Sequence, residues 1–217
     1  MPLSAKELRD GLGRIQDRMD GLECAGHAGD FRRRVEGLGR RVEKARRQGK
    51  WIKTHFNVFD VLGRPRLELA HSGVLAWLLD PEEAHGLGDA FLRGFLRRVA
   101  PGSRFRTGSV RVQRERRIAE GFLDINVQGP DWRLVVENKI DCPEGEDQTE
   151  KYWRCLNKYG RRTRIVAVFL TPDGRKPQCP RFRPLSWRKL ESLLCDLNVR
   201  GDAAVVIRHF AEHTCTL

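Results

Sequence analysis

Residues 121–140, GFLDINVQGPDWRLVVENKI, contain two short apolar segments on either side of a turn. The turn is Gly129-Pro130-Asp131, in which proline presets φ, glycine tolerates unusual backbone angles, and aspartate can bond its own backbone. Apolar segments of this length, bounded by turn residues, are typical of β-strands. The stretch is therefore predicted to form a β-hairpin.

Folding the hairpin about its turn fixes which residues are opposite each other. Asp124 is then opposite Glu137, and cross-strand partners have Cβ atoms about 5 Å apart. Lys139 is two residues beyond Glu137, so the alternation of side chains along a strand places it on the same face. The same register gives two further pairs, Gln128 with Arg133 and Asn126 with Val135. The hairpin is thus predicted to bring two acids and one amine together.

Two interpretations of this charged group remain open from the pattern alone. Like charges opposite each other destabilise a sheet, whereas a divalent cation such as Mg²⁺ prefers carboxylate oxygens and removes the repulsion. The group is then a hydrolytic metal site, in which Lys139 orients a water molecule or helps to deprotonate it. Alternatively, Lys139 neutralises Asp124 and Glu137 in a surface salt-bridge patch.

An ordered set of motifs resembles the signature of the PD-(D/E)XK nuclease superfamily. It comprises Asp124, the E-x-K of Glu137 and Lys139, and the Gln148 and Tyr152 of DQTEKYWRCL. Upstream, LELAHSGVLAWLLDP and HGLGDAFLRGFL resemble a branch of uncharacterised bacterial proteins. These matches extend over residues 57–171, and the ordered set is more specific than a bare E-x-K.

One departure from the motif affects the assignment of its first acid. The literal Pro130-Asp131 lies in the turn, too close to Glu137 to serve as that acid. Asp124, preceded by Leu123 rather than proline, takes the position through the hairpin register. The resemblance implies an α/β, restriction-endonuclease-like fold, with a mixed central sheet flanked by helices.

The resemblance also implies metal-dependent hydrolysis of phosphodiester bonds, in DNA rather than RNA, with Mg²⁺ or Mn²⁺ as cofactor. Asp124 and Glu137 would hold the metal, and the backbone carbonyl of Asn138 is a further candidate ligand. Lys139 would place the attacking water and stabilise the charge that develops on phosphorus. Glu68, on the first core helix, would complete the metal shell, directly or through water.

Several neighbouring residues have more than one reading. Glu68 is either a metal ligand or an ordinary surface glutamate, and His71 either contacts substrate phosphate, orients Glu68, or packs. Gln148, with Tyr152, either supports the strand end and holds a phosphate or water, or caps a helix. Glu115, on the predicted strand 110–115, either approaches the metal or pairs with an arginine.

The remaining core elements follow from apolar patterning. A helix is predicted over residues 146–159 and a buried strand over 164–170, which makes a right-handed crossover the expected connection. A helix is predicted from Ser186, although the spacing from Leu185 onward leaves a short edge strand open. A last helix is predicted over residues 203–215, with Val206 on its buried side.

Charge and length suggest a polyanionic partner and an appendage. The 217 residues have a net charge of +12 and a pI near 10, which favours nucleic acid without establishing it. Residues 1–54 are predicted to form a basic helical extension, in the form of a helical hairpin, and residues 55–217 the nuclease-like domain. Two groups of basic residues are expected to contact the phosphate backbone: Arg40, Arg41 and Lys44 of the extension, and Arg104 and Arg106 of the nuclease-like domain. For the extension, a solvated charged face is the alternative.

Other protein classes are disfavoured by the sequence. No apolar run approaches the ~20 residues that span a bilayer, and the N-terminus has no hydrophobic signal segment. The six cysteines form no C-x-x-C pair, so we expect reduced thiols, no zinc site and a cytoplasmic protein. A homodimer is left open. Three functions compete: an active nuclease, for example in phage defence or repair; a catalytically silent nucleic-acid-binding module; and a protein-interaction adaptor.

Overall fold

The computed structural model describes residue 37 and residues 57–61, 68–158, 163–197 and 199–214. The described residues from Asn57 onward belong to one compact unit. The predicted helical extension over residues 1–54, with Arg40, Arg41 and Lys44, lies outside the described residues except for Gly37. Its helices and its role in binding therefore stay predictions.

The described part of the chain contains one five-stranded sheet with the order β1-β2-β3-β4-β5. Its strands are β1 Arg111–Ile118, β2 Gly121–Gln128, β3 Trp132–Asn138, β4 Arg164–Thr171 and β5 Phe182–Ser186. The first three strands are antiparallel neighbours, whereas β3, β4 and β5 run parallel to one another. The sheet is therefore mixed, as the sequence predicts, and β1 and β5 are its edges.

Helices cover both faces of the sheet. They are α1 Val58–Val61, α2 Glu68–Leu79, α3 Ala90–Val99, α4 Gln148–Asn157, α5 Trp187–Cys195 and α6 Asp202–Thr214. One apolar cluster joins a sheet face to α2, α3, α5 and α6, and a second joins the opposite face to α4. No helix of the described ranges combines the length and apolarity needed to span a membrane. The predicted layering of a mixed sheet between helices is confirmed.

The register of the β2–β3 hairpin agrees with the prediction. Gln128 pairs with Arg133 and Asn126 with Val135, and the pairing continues as far as Ile125 with Val136. Asp124 and Glu137 are the next residues on their strands. The turn chemistry and the apolar pattern thus suffice to align the two acids.

An irregularity interrupts side-chain alternation beside Asp124. Leu123 packs in the α4-side cluster and Ile125 in the opposite one, although residues two apart in a regular strand share a face. On β1, Glu115 has φ 47°. Arg114 pairs with Ile125 and Arg116 pairs with Leu123, but Glu115 and Asp124, which lie between these pairs, are not paired. A non-glycine residue in this region is strained by roughly 1–3 kcal/mol. The alternation therefore resets at this point in both strands.

Three details differ from the predicted elements. The edge strand left open from Leu185 onward exists as β5, and α5 follows it directly. Helix α4 begins at Gln148 rather than at residue 146, because Asp147 has φ 51° and cannot continue a right-handed helix. Val206 is 37 % exposed, and Ile207 occupies the core instead, so the predicted buried side of the last helix is wrong there.

Candidate active site

The first acid of the motif is fixed by the backbone of the neighbouring strand. Asp124 Oδ2 accepts a hydrogen bond of 2.7 Å from the backbone N–H of Asn138, at the end of β3. A carboxylate that accepts a backbone N–H is held in one orientation. The hairpin thus sets the position of Asp124 relative to the E-x-K segment.

The second acid, Glu137, is almost completely buried, with 1 % of its surface exposed. Its Oε1 accepts a hydrogen bond of 2.6 Å from Gln148 Nε2 and lies 3.2 Å from Lys139 Nζ. Its Oε2 is buried and has no hydrogen-bond partner among the described residues. An unsatisfied buried carboxylate oxygen is costly, and it marks a position where a ligand can supply the missing interaction.

A third carboxylate comes from the first core helix. Glu68, the first residue of α2, accepts a hydrogen bond of 2.8 Å through Oε1 from the backbone N–H of Ile140. Ile140 directly follows Lys139, so Glu68 reaches the segment after E-x-K. This contact holds Glu68 close enough for its charge to act on Asp124 and Glu137. The metal-ligand reading of Glu68 stays a prediction.

The electrostatics of the site favour binding of a cation. Burial raises the pKa of Asp124 to about 6, against the lowering effects of the Asn138 N–H and of Lys139. Burial and the charge of Asp124 raise the pKa of Glu137 to about 8. Burial by itself would lower the pKa of Lys139, but Glu137, Glu68 and Asp124 outweigh it, so the pKa is raised. Lys139 is therefore an ammonium group at neutral pH.

The helix that follows the hairpin holds the buried acid from the other side. Gln148 Nε2 contacts both Glu137 Oε1 and the Tyr152 hydroxyl, the latter at 3.1 Å. Gln148 Oε1 accepts from the backbone N–H of Gly145, at 3.1 Å, which fixes the orientation of the amide. The amide thus closes the helix entry and also contacts the buried acid, whereas its contact with a phosphate or a water stays a prediction.

The side chain of Asn138 connects the site to the core. Its Nδ2 donates to the Glu68 backbone carbonyl and to Ser72 Oγ, both at 3.2 Å. Its Oδ1 accepts from the Trp187 indole at 3.1 Å. One fully buried residue therefore joins the E-x-K strand to α2 and α5.

We expect Asn138→Ala to lower the free energy of unfolding by about 2–3 kcal/mol, because it removes the acceptor of the buried Trp187 indole and the donor to the Glu68 carbonyl and Ser72 Oγ. Urea unfolding followed by circular dichroism measures this change. The control is Asn157→Ala at the exposed end of α4, with an expected change within about 0.5 kcal/mol. Equal costs for the two variants would contradict the proposed role of Asn138 in the core.

Other predicted site residues lie elsewhere. His71 is fully buried and its ring lies near those of Phe59, Trp187, Phe210 and His213. This placement favours the packing interpretation of His71 over contact with nucleic acid.

The loop arginines are at the opposite end of the hairpin from the acids. The Trp132 indole donates to the carbonyl of Arg106 at 2.9 Å, and Arg106 Nη2 lies 3.8 Å from Asp131 Oδ2. Trp132 is five residues before Glu137, which is about 16 Å along a strand. Arg106 and the exposed Arg104 are therefore not brought next to the site.

The donor set of the site fits a hydrated metal ion held by two carboxylates. No group of three or more His, Cys, Asp or Glu side chains within the described ranges is arranged to hold a metal. Mg²⁺ usually needs fewer than three protein side chains, because it keeps several waters and binds one or two carboxylates plus substrate phosphates. Asp124 and Glu137, with the unsatisfied Oε2 and the raised pKa values of both acids, fit this requirement.

Fold and site together define a class of protein. A mixed sheet between helices, with an acid on one strand, E-x-K on the next and Q-x-x-x-Y on the following helix, is the arrangement of a restriction-endonuclease-like α/β domain. A family model described as the PD-(D/E)XK nuclease superfamily matches residues 56–196. The chain belongs to the PD-(D/E)XK nuclease superfamily, whose nucleases typically use divalent metals.

No curated protein and no solved structure matches the chain. The family and the geometry of the site therefore carry the functional argument.

Proposed function

We propose that this protein is a metal-dependent nuclease that hydrolyses phosphodiester bonds, with DNA as its preferred substrate. The observation that carries this proposal is the buried Oε2 of Glu137, which has no partner among the described residues and lies in a site shared with Asp124 and Lys139. A buried acid and a partly buried acid beside a single lysine are destabilising in isolation, and a cation with a phosphate supplies the missing charge balance.

Asp124 and Glu137 would hold the metal, with the backbone carbonyl of Asn138 as a further ligand. Glu68 would act through water, because no three acids of the described ranges are grouped to hold one ion directly. When bound, Mg²⁺ or Mn²⁺ polarises the phosphate and lowers the pKa of a water molecule. The hydrogen bond from the Asn138 N–H holds Asp124 in place, and Gln148, with Tyr152 behind it, holds Glu137 Oε1.

The role of Lys139 follows from its protonation state. Its raised pKa keeps Nζ charged, so it donates hydrogen bonds and does not act as a general base. Nζ is near Glu137 Oε1 at 3.2 Å and half-buried, which makes its charge effective. Lys139 is thus proposed to orient the attacking water and to stabilise the negative charge that grows on the phosphate oxygens.

The choice of DNA over RNA and the cellular setting are also parts of the proposal. The net charge of +12 supports a polyanionic substrate. Arg104 and Arg106, at the turn end of the hairpin, would contact phosphates far from the one being cut. A cytoplasmic enzyme of phage defence or repair fits these features.

We expect the purified protein to nick supercoiled plasmid DNA in Mg²⁺ or Mn²⁺, and EDTA to stop the reaction. Gel electrophoresis of plasmid against time measures the nicking, and a labelled RNA of equal length tests the preference for DNA. The control is Asp124→Asn with Glu137→Gln, which keeps shape and removes both charges. Equal nicking by the control protein would attribute the activity to a contaminant, and no nicking with either metal would contradict the proposed function.

A further inference from the structure

The edge strand next to the acids has a strongly basic sequence. Strand β1, RVQRERRI, contains four arginines and one glutamate, and it pairs with β2 on one side only. Arg114 and Arg117 are exposed. Because β2 carries Asp124, the basic strand lies directly beside the candidate active site.

One of these arginines has space made for it by a glycine of α2. A Cβ atom on Gly73 would lie 2.5 Å from Nη1 of Arg114, so the guanidinium lies against the helix at that position. Gly73 is in the same helix as Glu68, one of the three site carboxylates. Arg114 is thus held on the α2 side of the sheet, the side from which Glu68 reaches the segment after E-x-K.

The reset of side-chain alternation brings a second arginine to the same side. Leu123 and Ile118 point into the α4-side cluster, so the pair between them, Arg117 with Phe122, is on the opposite, α2 side. Arg114 is on that side as well. In a regular strand, residues three apart, such as Arg114 and Arg117, would lie on opposite faces. The irregular backbone at Glu115 therefore places both arginines on the same face.

An exposed aromatic ring completes this surface. Phe122 is 55 % exposed and is the direct cross-strand partner of Arg117. It is two residues from Asp124, which is about 7 Å along the strand. Aromatic side chains beside basic ones are the elements with which proteins bind unpaired nucleic acid, by stacking on bases and contacting phosphates.

We propose that Arg114, Arg117 and Phe122 form the surface that binds the substrate strand next to the cut, and that the substrate has an unpaired segment there. The arginines contact phosphates, and Phe122 stacks on a base that is not paired. A fully paired duplex cannot present a base to Phe122 in this way. This inference rests on the proposed function, since it specifies the substrate class of the same site.

A basic edge strand has one competing explanation, because charged residues at a sheet edge also prevent edge-to-edge association of sheets. That explanation predicts that loss of the arginines changes the oligomeric state and leaves nucleic-acid binding unchanged. It does not account for an exposed phenylalanine, which favours association. The two explanations therefore differ in a measurable result.

The test measures binding in EDTA, so that it does not depend on cleavage. Fluorescence anisotropy is recorded with a labelled 12-nucleotide single-stranded DNA and with its blunt duplex. We expect Arg114→Ala with Arg117→Ala to weaken binding of both DNAs at least tenfold and to reduce the slope of log affinity against log salt by about one to two. We expect Phe122→Ala to weaken single-strand binding about tenfold and duplex binding less than twofold, and Phe122→Trp to keep single-strand affinity.

Two matched controls separate local from general effects. Arg98→Ala removes an exposed arginine of α3. The carbonyl of the next residue, Val99, accepts a hydrogen bond from Arg183 of β5, which is the edge of the sheet opposite β1. Val205→Ala removes an exposed apolar side chain of α6. Both variants are expected to bind within twofold of the parent protein, and thermal unfolding confirms that every variant is folded.

Specific results overturn the inference. Unchanged DNA affinity in the double arginine variant, with or without a new dimer in gel filtration, would assign the strand to edge protection. If Phe122→Ala weakens binding of the two DNAs equally, or weakens neither, the inference that the substrate has an unpaired segment is wrong. Failure of the proposed function is distinct, because a parent protein that binds through these residues in EDTA yet never cuts in Mg²⁺ retains the surface and loses only the hydrolysis.

Discussion

Lys139→Ala is expected to reduce cleavage at least 10³-fold while DNA binding in EDTA changes less than about threefold. Nζ of Lys139 is 3.2 Å from Glu137 Oε1, and the surrounding acids keep it charged. Removing one preorganised donor of this kind costs about 10²–10³ in rate, and the loss of a full charge beside two acids adds to it. Phosphate binding depends on many cations, so one half-buried lysine contributes little to affinity.

The Lys139 experiment compares single-turnover cleavage rates of three variants at saturating protein. Lys139→Arg keeps the charge, but its planar group does not occupy the position of an ammonium, so we expect at most partial recovery. Lys158→Ala, at the exposed C-terminal end of α4, is the charge-matched control and is expected to cut like the parent protein. Unchanged cleavage by Lys139→Ala would remove Lys139 from the mechanism and leave it as a counter-charge for Glu137.

Glu137→Gln is expected to abolish cleavage and to stabilise the metal-free protein at high pH. The pKa of Glu137 is raised from its ordinary 4.5 to about 8, so the folded state favours the protonated acid. The stability gained from this preference is fully present below pH 4.5 and is lost as the pH rises through 8. Glutamine imitates the protonated acid at every pH, so the variant does not suffer this loss.

The expected size follows from the shift in pKa. One pKa unit corresponds to about 1.4 kcal/mol, and for a chain of this length 1 kcal/mol changes the melting temperature by roughly 2–4 °C. In EDTA, we expect the Glu137→Gln protein to melt at least about 5 °C above the parent at pH 8.5 and within about 2 °C of it at pH 5. Differential scanning fluorimetry across this range measures both values.

Metal addition provides the complementary measurement. A cation that binds only the folded state stabilises it by mass action, so millimolar Mg²⁺ or Mn²⁺ should raise the melting temperature of the parent protein at pH 8.5 and leave Glu137→Gln unchanged. Glu150→Gln, in the first turn of α4, is the control and should respond as the parent does. A parent protein that is no less stable than Glu137→Gln at pH 8.5 would contradict the raised pKa, and no metal response would contradict the metal site.

The parts of the site that could be predicted from the sequence depend on local geometry. The turn at Gly129–Asp131 and the alternation of apolar residues determine the hairpin, and the hairpin determines that Asp124 and Glu137 meet. Gln148 and Tyr152 are one helical turn apart, so their common face also follows from spacing alone. These relations span few residues, and short-range rules are sufficient for them.

The parts that could not be predicted depend on contacts between distant segments or on a single unusual backbone angle. His71 has the sequence context of a site residue, but its burial results from aromatic rings contributed by α1, α5 and α6. The reset beside Asp124 depends on the positive φ of Glu115, a value that no residue type other than glycine or asparagine signals reliably. The repeated arginines of β1 were visible in the sequence, but only the reset shows which of them share a face.

The side chain of Asn138 has a consequence for the timing of activity during protein synthesis. Its partner Trp187 follows it by 49 residues. The ribosome must therefore release α5 before the Asn138 side chain can form all of its hydrogen bonds. Chains that end before Trp187 lack this hydrogen bond to the E-x-K strand even though both acids and the lysine have already been translated. For the proposed nuclease, such a delay would keep unfinished chains from cutting nucleic acid.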